Sequence, residues 1–443
     1  MSLPGYDVYK DTGLDWLGCV PAHWHVKRIR FVAELNPSKS ELADFDRSTE
    51  VSFLPMDAIG DDGSISLERT RPIAEVESGY TYFRDGDVTL AKITPCFENG
   101  KGALMRGLEA GIGFGTTELI VARPRPSEVD GSLLSWIFRS PNFRAQGEAS
   151  MYGAGGQKRV PDDFVRDFAW AFPPLDEQTA IAAFLDRETA KIDALIGEQE
   201  KLLALLSEKR LATISHAVSK GLDLNAPMKD SGVDWLGEIP AHWRVERVKN
   251  VARLESGHTP SKQFPEYWEN CTIPWVSLND SKYLAAHDHI ADTVVKINEL
   301  GLANSSARML PAGAVVFTRD ATIGLAAITT VPMAVSQHLI AWCPSPCITS
   351  LFLLRVFNAM KQHLDAHTFG ATIKTIGMSD VKKLVTTVPP LNEQLAITAH
   401  VESQMRNLEA LQEAAERAVA LLKDRRGALI AAAVTGQIDV RGT

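Results

Sequence analysis

Cysteine is scarce in this chain, five residues in 443. They are odd in number and scattered, which argues against a disulfide framework and predicts a reducing compartment. Cys343 and Cys347 lie close together, but no second Cys or Cys/His pair stands at zinc-ligand spacing, so no metal site is expected. No apolar run is long enough to span a bilayer, and no N-terminal apolar leader is visible. These two absences predict a cytoplasmic protein. An excess of positive charge is also missing. Lys and Arg number 46 against 55 Asp and Glu, a net charge of −9. A surface coated by nucleic acid is therefore not expected, and any phosphate contact has to come from local patches.

Catalytic signatures are missing as well. There is no G-x-x-x-x-G-K-[ST] loop, and the nearest stretch, Gly153–Lys158, has the wrong spacing and no hydroxyl residue after the lysine. No Gly-rich loop follows a strand and opens a helix as a dinucleotide or adenosyl cofactor requires. The Pro pairs are followed by Leu, not by the aromatic residue of an amino-methyltransferase element. Asp85, Asp87, Glu98 and Lys101 have nuclease-like spacing, but acid–x–x–Lys is a common pattern and the second half does not repeat it. The eleven His show no cluster. The chain is expected to bind rather than to catalyse, with no cofactor of its own.

What the chain does have is a duplication. Pro173 to about Leu224 (PPLDEQTAIAAFLDRETAKIDALIGEQEKLL…) aligns without a gap with Pro389 to Val440 (PPLNEQLAITAHVESQMRNLEALQEAAERAV…) at an offset of 216 residues. Each copy reads as one long amphipathic helix. The Pro pair blocks helix upstream, Asp176 or Asn392 is expected as N-cap, and Glu177 or Glu393 follows in the first turn. Apolar residues recur at 3–4 spacing: Ile181, Leu185, Ile192, Leu195, Leu202 and Leu206 in copy one, and Ile397, Val401, Leu408, Leu411 and Leu422 in copy two. A seam of that period predicts a coiled coil, and the partner expected for each helix is the other.

The arms upstream repeat too. KDTGLDWLGCVPAHWHVKRIRFVAEL (10–35) matches KDSGVDWLGEIPAHWRVERVKNVARL (229–254) at more than half of its positions. Trp16, His23 and Trp24, with Trp235, His242 and Trp243, are expected to clasp their own domain, since Trp supplies large buried area. The regions between arm and helix diverge but keep a common skeleton of strands and a helix. The expected organisation is a globule over 1–173, a helix over 174–220, a second globule over 221–388, and a C-terminal helix over 389–443.

This arrangement resembles the specificity subunit of type I restriction–modification systems. The resemblance rests on the P-P-L-x-E-Q entries (Pro173–Gln178, Pro389–Gln394), the D-W-L-G…P-A-H-W arms and the alternation of unlike globules with like helices. It implies an α+β fold: two mixed target recognition domains and two long antiparallel helices forming a coiled coil, with pseudo-two-fold character. It implies that each globule reads one half of a split site in double-stranded DNA, while the helices set the spacer and dock two modification methyltransferase subunits. Restriction subunits would then join, and S-adenosylmethionine, ATP and Mg would be bound by the partners.

Neither globule is basic. Lys and Arg number 19 against 25 Asp and Glu over 1–173, and 15 against 15 over 221–388. Candidate DNA contacts are Lys92 and Lys101 in the first globule, Arg319 and Thr322 in the second, and two Gly-containing loops carrying Gln157, Lys158, Arg159 and Thr372, Lys374. Arg forks onto guanine, Gln pairs with adenine, and Lys holds phosphate. Asp57, Thr117, Asn279 and Gln337 are further candidates at strand exits. A protein-interaction scaffold without DNA readout is the alternative that the acidic charge suggests.

Overall fold

The computed structural model describes residues 4–154, 156–366, 368 and 374–442. The chain divides into two units, 1–199 with 417–443, and 200–416.

The first unit contains strands β1 (Tyr9–Asp11), β2 (Cys19–Pro21), β3 (His25–Arg28), β4 (Ala33–Leu35), β5 (Glu50–Leu54), β6 (Thr70–Pro72), β7 (Thr81–Arg84), β8 (Val88–Ala91), β9 (Gly102–Leu104), β10 (Ile112–Gly115), β11 (Leu119–Pro124) and β12 (Ala169–Phe172). They form one sheet in the order β4-β11-β8-β9 and another in the order β6-β5-β10-β7. Within the second sheet β5 and β10 are parallel. Strand β8 is buried at all four positions, which fits its uninterrupted V-T-L-A run. Helix α1 (Gly131–Arg139) starts where Asp130 accepts from the amides of Ser132 and Leu133. It stops at Ser140, which caps α2 (Pro141–Ser150). The one helix expected between the strands and the long helix is thus two in this unit, because Pro141 has no N–H to continue the first and suits the start of the second. The long helix α3 (Leu175–Lys220) follows.

The second unit repeats the plan. Its strands are β13 (Met228–Asp230), β14 (Glu238–Pro240), β15 (Arg244–Arg247), β16 (Ala252–Ser256), β17 (Ile273–Val276), β18 (His289–Ile290), β19 (Lys296–Ile297), β20 (Val315–Thr318), β21 (Ala326–Thr329), β22 (Ala334–Val335), β23 (Leu339–Pro344) and β24 (Val385–Val388). The order β16-β23-β20-β21 reproduces the first sheet of the other unit, with β18 added at the edge. The parallel pair β17–β22 reproduces β5–β10. Helix α4 (Ser350–Ala359) is capped by Thr349, and the long helix α5 (Leu391–Val434) closes the order.

The long helices pair antiparallel within each unit. In the first, Ile181 and Leu185 share a core with Ile430, Ala433 and Val434, and farther along Asp193 meets Arg426 at 2.8 Å. In the second, Ile214, Ala217 and Val218 share a core with Ile397, Val401 and Met405, while Arg210 meets Glu409 at 3.5 Å.

Part of the expected seam is corrected. Ile181, Leu185, Ile192, Leu206, Ile397 and Val401 are buried, and Leu408 and Leu422 are partly buried. Leu195, Leu202 and Leu411 instead point outward, with 53%, 39% and 54% of their surface exposed. The seam of α3 runs Leu185, Thr189, Ile192, Ile196, Leu203, Leu206. The 3–4 pattern allows two lattices that share Leu185, Ile192 and Leu206 and differ by one residue between them. Adjacent apolar pairs, Leu195–Ile196 and Leu202–Leu203, satisfy both. Packing selects the second, and Thr189 spends its hydroxyl on the Leu185 carbonyl at 2.6 Å, so it sits in the seam with its polar group satisfied.

Candidate nucleic-acid interface

The repeated motifs meet at the helix entries. Asp176 and Asn392, expected as N-caps, lie inside the first turns of α3 and α5. The carbonyls of Pro174 and Pro390 accept the first helical bonds, from Gln178 N at 2.9 Å and Gln394 N at 3.0 Å. A proline there loses nothing, since the N–H it lacks would have no helical partner. The Gln178 amide donates to the Pro173 carbonyl and accepts from Asp130 N, the residue capping α1. Gln394 does the same with Pro389 and Thr349, the cap of α4.

Glu177 receives the Trp24 indole at 2.9 Å, the Tyr6 hydroxyl at 2.6 Å and His23 at 2.7 Å. Glu393 receives Trp243 and His242, each at 2.8 Å. The arms are therefore clasps, as their Trp content suggested. Burial, then the bond to Glu177, holds the Tyr6 hydroxyl well above the usual phenol range.

Five of the candidate DNA-contacting residues, Lys92, Lys158, Arg159, Arg319 and Lys374, meet at a junction built the same way in both units. In the first, the residue leaving β8 is Lys92. Its amide donates to the Glu118 carbonyl, its carbonyl accepts from Val160 N, and Thr94 N donates to the Lys158 carbonyl, at 2.8, 2.8 and 2.9 Å. In the second, the residue leaving β20 is Arg319. Its amide donates to the His338 carbonyl, its carbonyl accepts from Ile376 N, and Ala321 N donates to the Lys374 carbonyl, at 3.0, 3.0 and 2.9 Å. Strand exit, inter-strand turn and basic loop are thus tied by matching backbone bonds.

The side chains filling the junctions differ. In the first, Arg159 forks onto Glu118, Nε to Oε2 at 2.9 Å and Nη2 to Oε1 at 2.7 Å. That bond, opposed by burial, holds the Glu118 carboxyl below the usual range. In the second, His338 Nδ1 meets Asp320 Oδ2 at 2.7 Å, and Thr375 donates to Asp320 Oδ1 at 2.8 Å. Gln337 lies against His338, its Nε2 at 3.2 Å from His338 Nε2, and is bonded to Thr259.

The junction gathers Lys92, Lys158 and Arg159 in one unit and Arg319 and Lys374 in the other. Gln157, Lys158, Thr322 and Lys374 are exposed. Lys92 is half-buried, 4.0 Å from Asp162. Lys101 stands apart, its ammonium bonded to the Met56 carbonyl at 3.0 Å. Thr372 lies outside the described residues. The nuclease-like acids do not converge. Both Asp87 oxygens are taken by Arg123, and Glu98 accepts from Thr94. Sequence reading missed Glu118, Asp320 and His338, although Glu118 and His338 directly follow Thr117 and Gln337, two of the candidates at strand exits.

A family model described as a type I restriction modification DNA specificity domain matches residues 240–416. The specificity subunit of the type I restriction enzyme EcoAI from Escherichia coli is 42% identical over 194 residues, 43% of this chain and 32% of that relative. The match thus spans about a third of that relative's length. A chain solved in work on complex assembly and conformational transition of the type I R-M system has a TM-score of 0.70 at 21% identity, over 94% of this chain and 98% of that one. The HsdS subunit from Thermoanaerobacter tengcongensis has a TM-score of 0.57 at 18% identity, over 96% and 99%. At these identities the two structures establish the fold. Among the described residues no helix is long and apolar enough to cross a membrane.

Proposed function

We propose, for a chain that belongs to the type I restriction–modification specificity family, that it supplies the DNA sequence specificity of such a complex. Each unit reads one half of an asymmetric, bipartite site in double-stranded DNA. The observation that carries this reading is the junction itself: one backbone arrangement, used twice, with different side chains in it. Like frames with unlike contents suit two half-sites that differ in sequence.

The paired helices set the unread spacer, and their likeness suits two copies of one partner. That partner is the modification methyltransferase subunit, covering the exposed Leu195, Leu205, Leu411 and Leu421. Restriction subunits complete the assembly. This chain is the non-catalytic member, cytoplasmic, and S-adenosylmethionine, ATP and Mg belong to the partners. With a net charge of −9, much of the electrostatic affinity for phosphate comes from them too.

The acidic charge also favours a second reading, a protein-interaction scaffold. Both are tested by assembling the chain with its methyltransferase and titrating DNA at rising salt. The DNA-reading function requires binding that falls steeply with salt and methylation confined to a split motif. Salt-insensitive binding without sequence preference would leave the scaffold.

A further inference from the structure

The matching junctions differ in what they hold out to solvent. Arg159 uses Nε and Nη2 on Glu118. Among the described residues, Nη1 and the outer proton of Nη2 have no partner. A guanidinium held along one edge presents the two donors of its far end in a fixed plane, matching the O6 and N7 acceptors of guanine. Arg159 is also pinned through its backbone, paired with Tyr152 and Ile93.

The second junction presents an amide. Asp320 accepts from Thr375 and from His338 Nδ1, which fixes the imidazole proton on Nδ1. In the neutral ring Nε2 is then an acceptor, and Gln337 donates to it. With Thr259 bonded to its carbonyl oxygen, the exposed Gln337 keeps one N–H and one lone pair without a partner among the described residues. That donor–acceptor pair matches N7 and N6 of adenine and mismatches guanine.

We propose that this shared place is the base-reading position of each unit: Arg159, positioned by Glu118, selects guanine in one half-site, and Gln337, positioned by His338 and Asp320, selects adenine in the other. The proposal rests on the DNA-reading function and adds which residues specify which base.

The test uses the full chain assembled with its methyltransferase subunit in a host without other modification systems, with methylated sites mapped across the genome. Arg159→Ala should relax one guanine in one half-site by roughly 5- to 100-fold, leaving spacer and other half-site unchanged. Glu118→Gln should relax the same position less. Gln337→Ala should relax one adenine, other than any methylated base, in the opposite half-site.

An unchanged motif in Arg159→Ala, relaxation spread over many positions, or a half-site with no guanine would overturn the proposal. If Arg159→Ala abolishes methylation, Arg159→Lys decides. A retained motif with a weakened guanine supports base readout, and complete loss assigns Arg159 a structural role and ends the proposal. The two readings fail separately. A wild-type complex without a bipartite motif sinks the DNA-reading function. A bipartite motif that these variants leave intact sinks only the base assignment.

Discussion

The Trp24 indole N–H donates to Glu177 at 2.9 Å across 153 residues of sequence, and Trp243 donates to Glu393 in the same way. Each bond ties a P-A-H-W arm to a P-P-L-x-E-Q helix entry, so the two repeated motifs are halves of one device. The carboxylate closes the arm while the neighbouring Gln locks the chain before the helix.

The two clasps should differ in strength. Glu177 is buried and accepts from three side chains, whereas the Glu393 side chain is about a third exposed and accepts from two. Glu177→Ala leaves Trp24 and Tyr6 without their acceptor and should cost about 2–4 kcal/mol. Glu393→Ala should cost about 1 kcal/mol. Urea unfolding of the purified variants measures both, and equal losses would contradict this account of the burial.

Neighbouring helix positions should separate in the same experiment. Ile196→Ala removes a seam residue and should destabilise by about 2–4 kcal/mol. Leu195→Ala acts on an exposed side chain and should stay within about 0.5 kcal/mol. A reversed order would restore the lattice that period alone suggested.

These neighbours also mark how far sequence reached. The duplication, both helix entries and the clasping role of the arms were legible because they recur as motifs at a fixed offset. The seam was legible only to its period, since Leu195–Ile196 and Leu202–Leu203 fit either lattice and the partner helix decides between them. The junction was half legible. Lys92, Lys158, Arg319 and Lys374 were among the candidates, but Glu118, Asp320 and His338 gain meaning only when strand exit, turn and loop are hydrogen-bonded together. Lys101 looked basic and available, and the fold spends it on the Met56 carbonyl.

The ion pair at the first junction gives a pH dependence. The Glu118 carboxyl is held below its ordinary range by Arg159. The folded-state value is depressed, so the pair's contribution is fully present above the unfolded value of about 4.3–4.5 and is lost as pH falls through the lower folded value. Carboxyl titration by NMR should show Glu118 still ionised when ordinary glutamates are half protonated. Loss of the Arg159 constraint should follow only below that point.

Helix length should control the spacer. Seven residues added to both helices, after Ala204 and after Ala415, preserve the heptad pattern and add about 10 Å of rod. The unread spacer should lengthen by about three base pairs at about 3.4 Å each. An unchanged spacer would remove the helices from the role of ruler.

The most direct measurement of the central claim is an exchange of contents. Residues 36–172 are replaced by the corresponding region of another such protein, and the methylated sites of the assembled complex are mapped. Two independent readers on a common frame predict a new sequence in one half-site, with the other half-site and the spacer as before. A change in both half-sites would contradict the account.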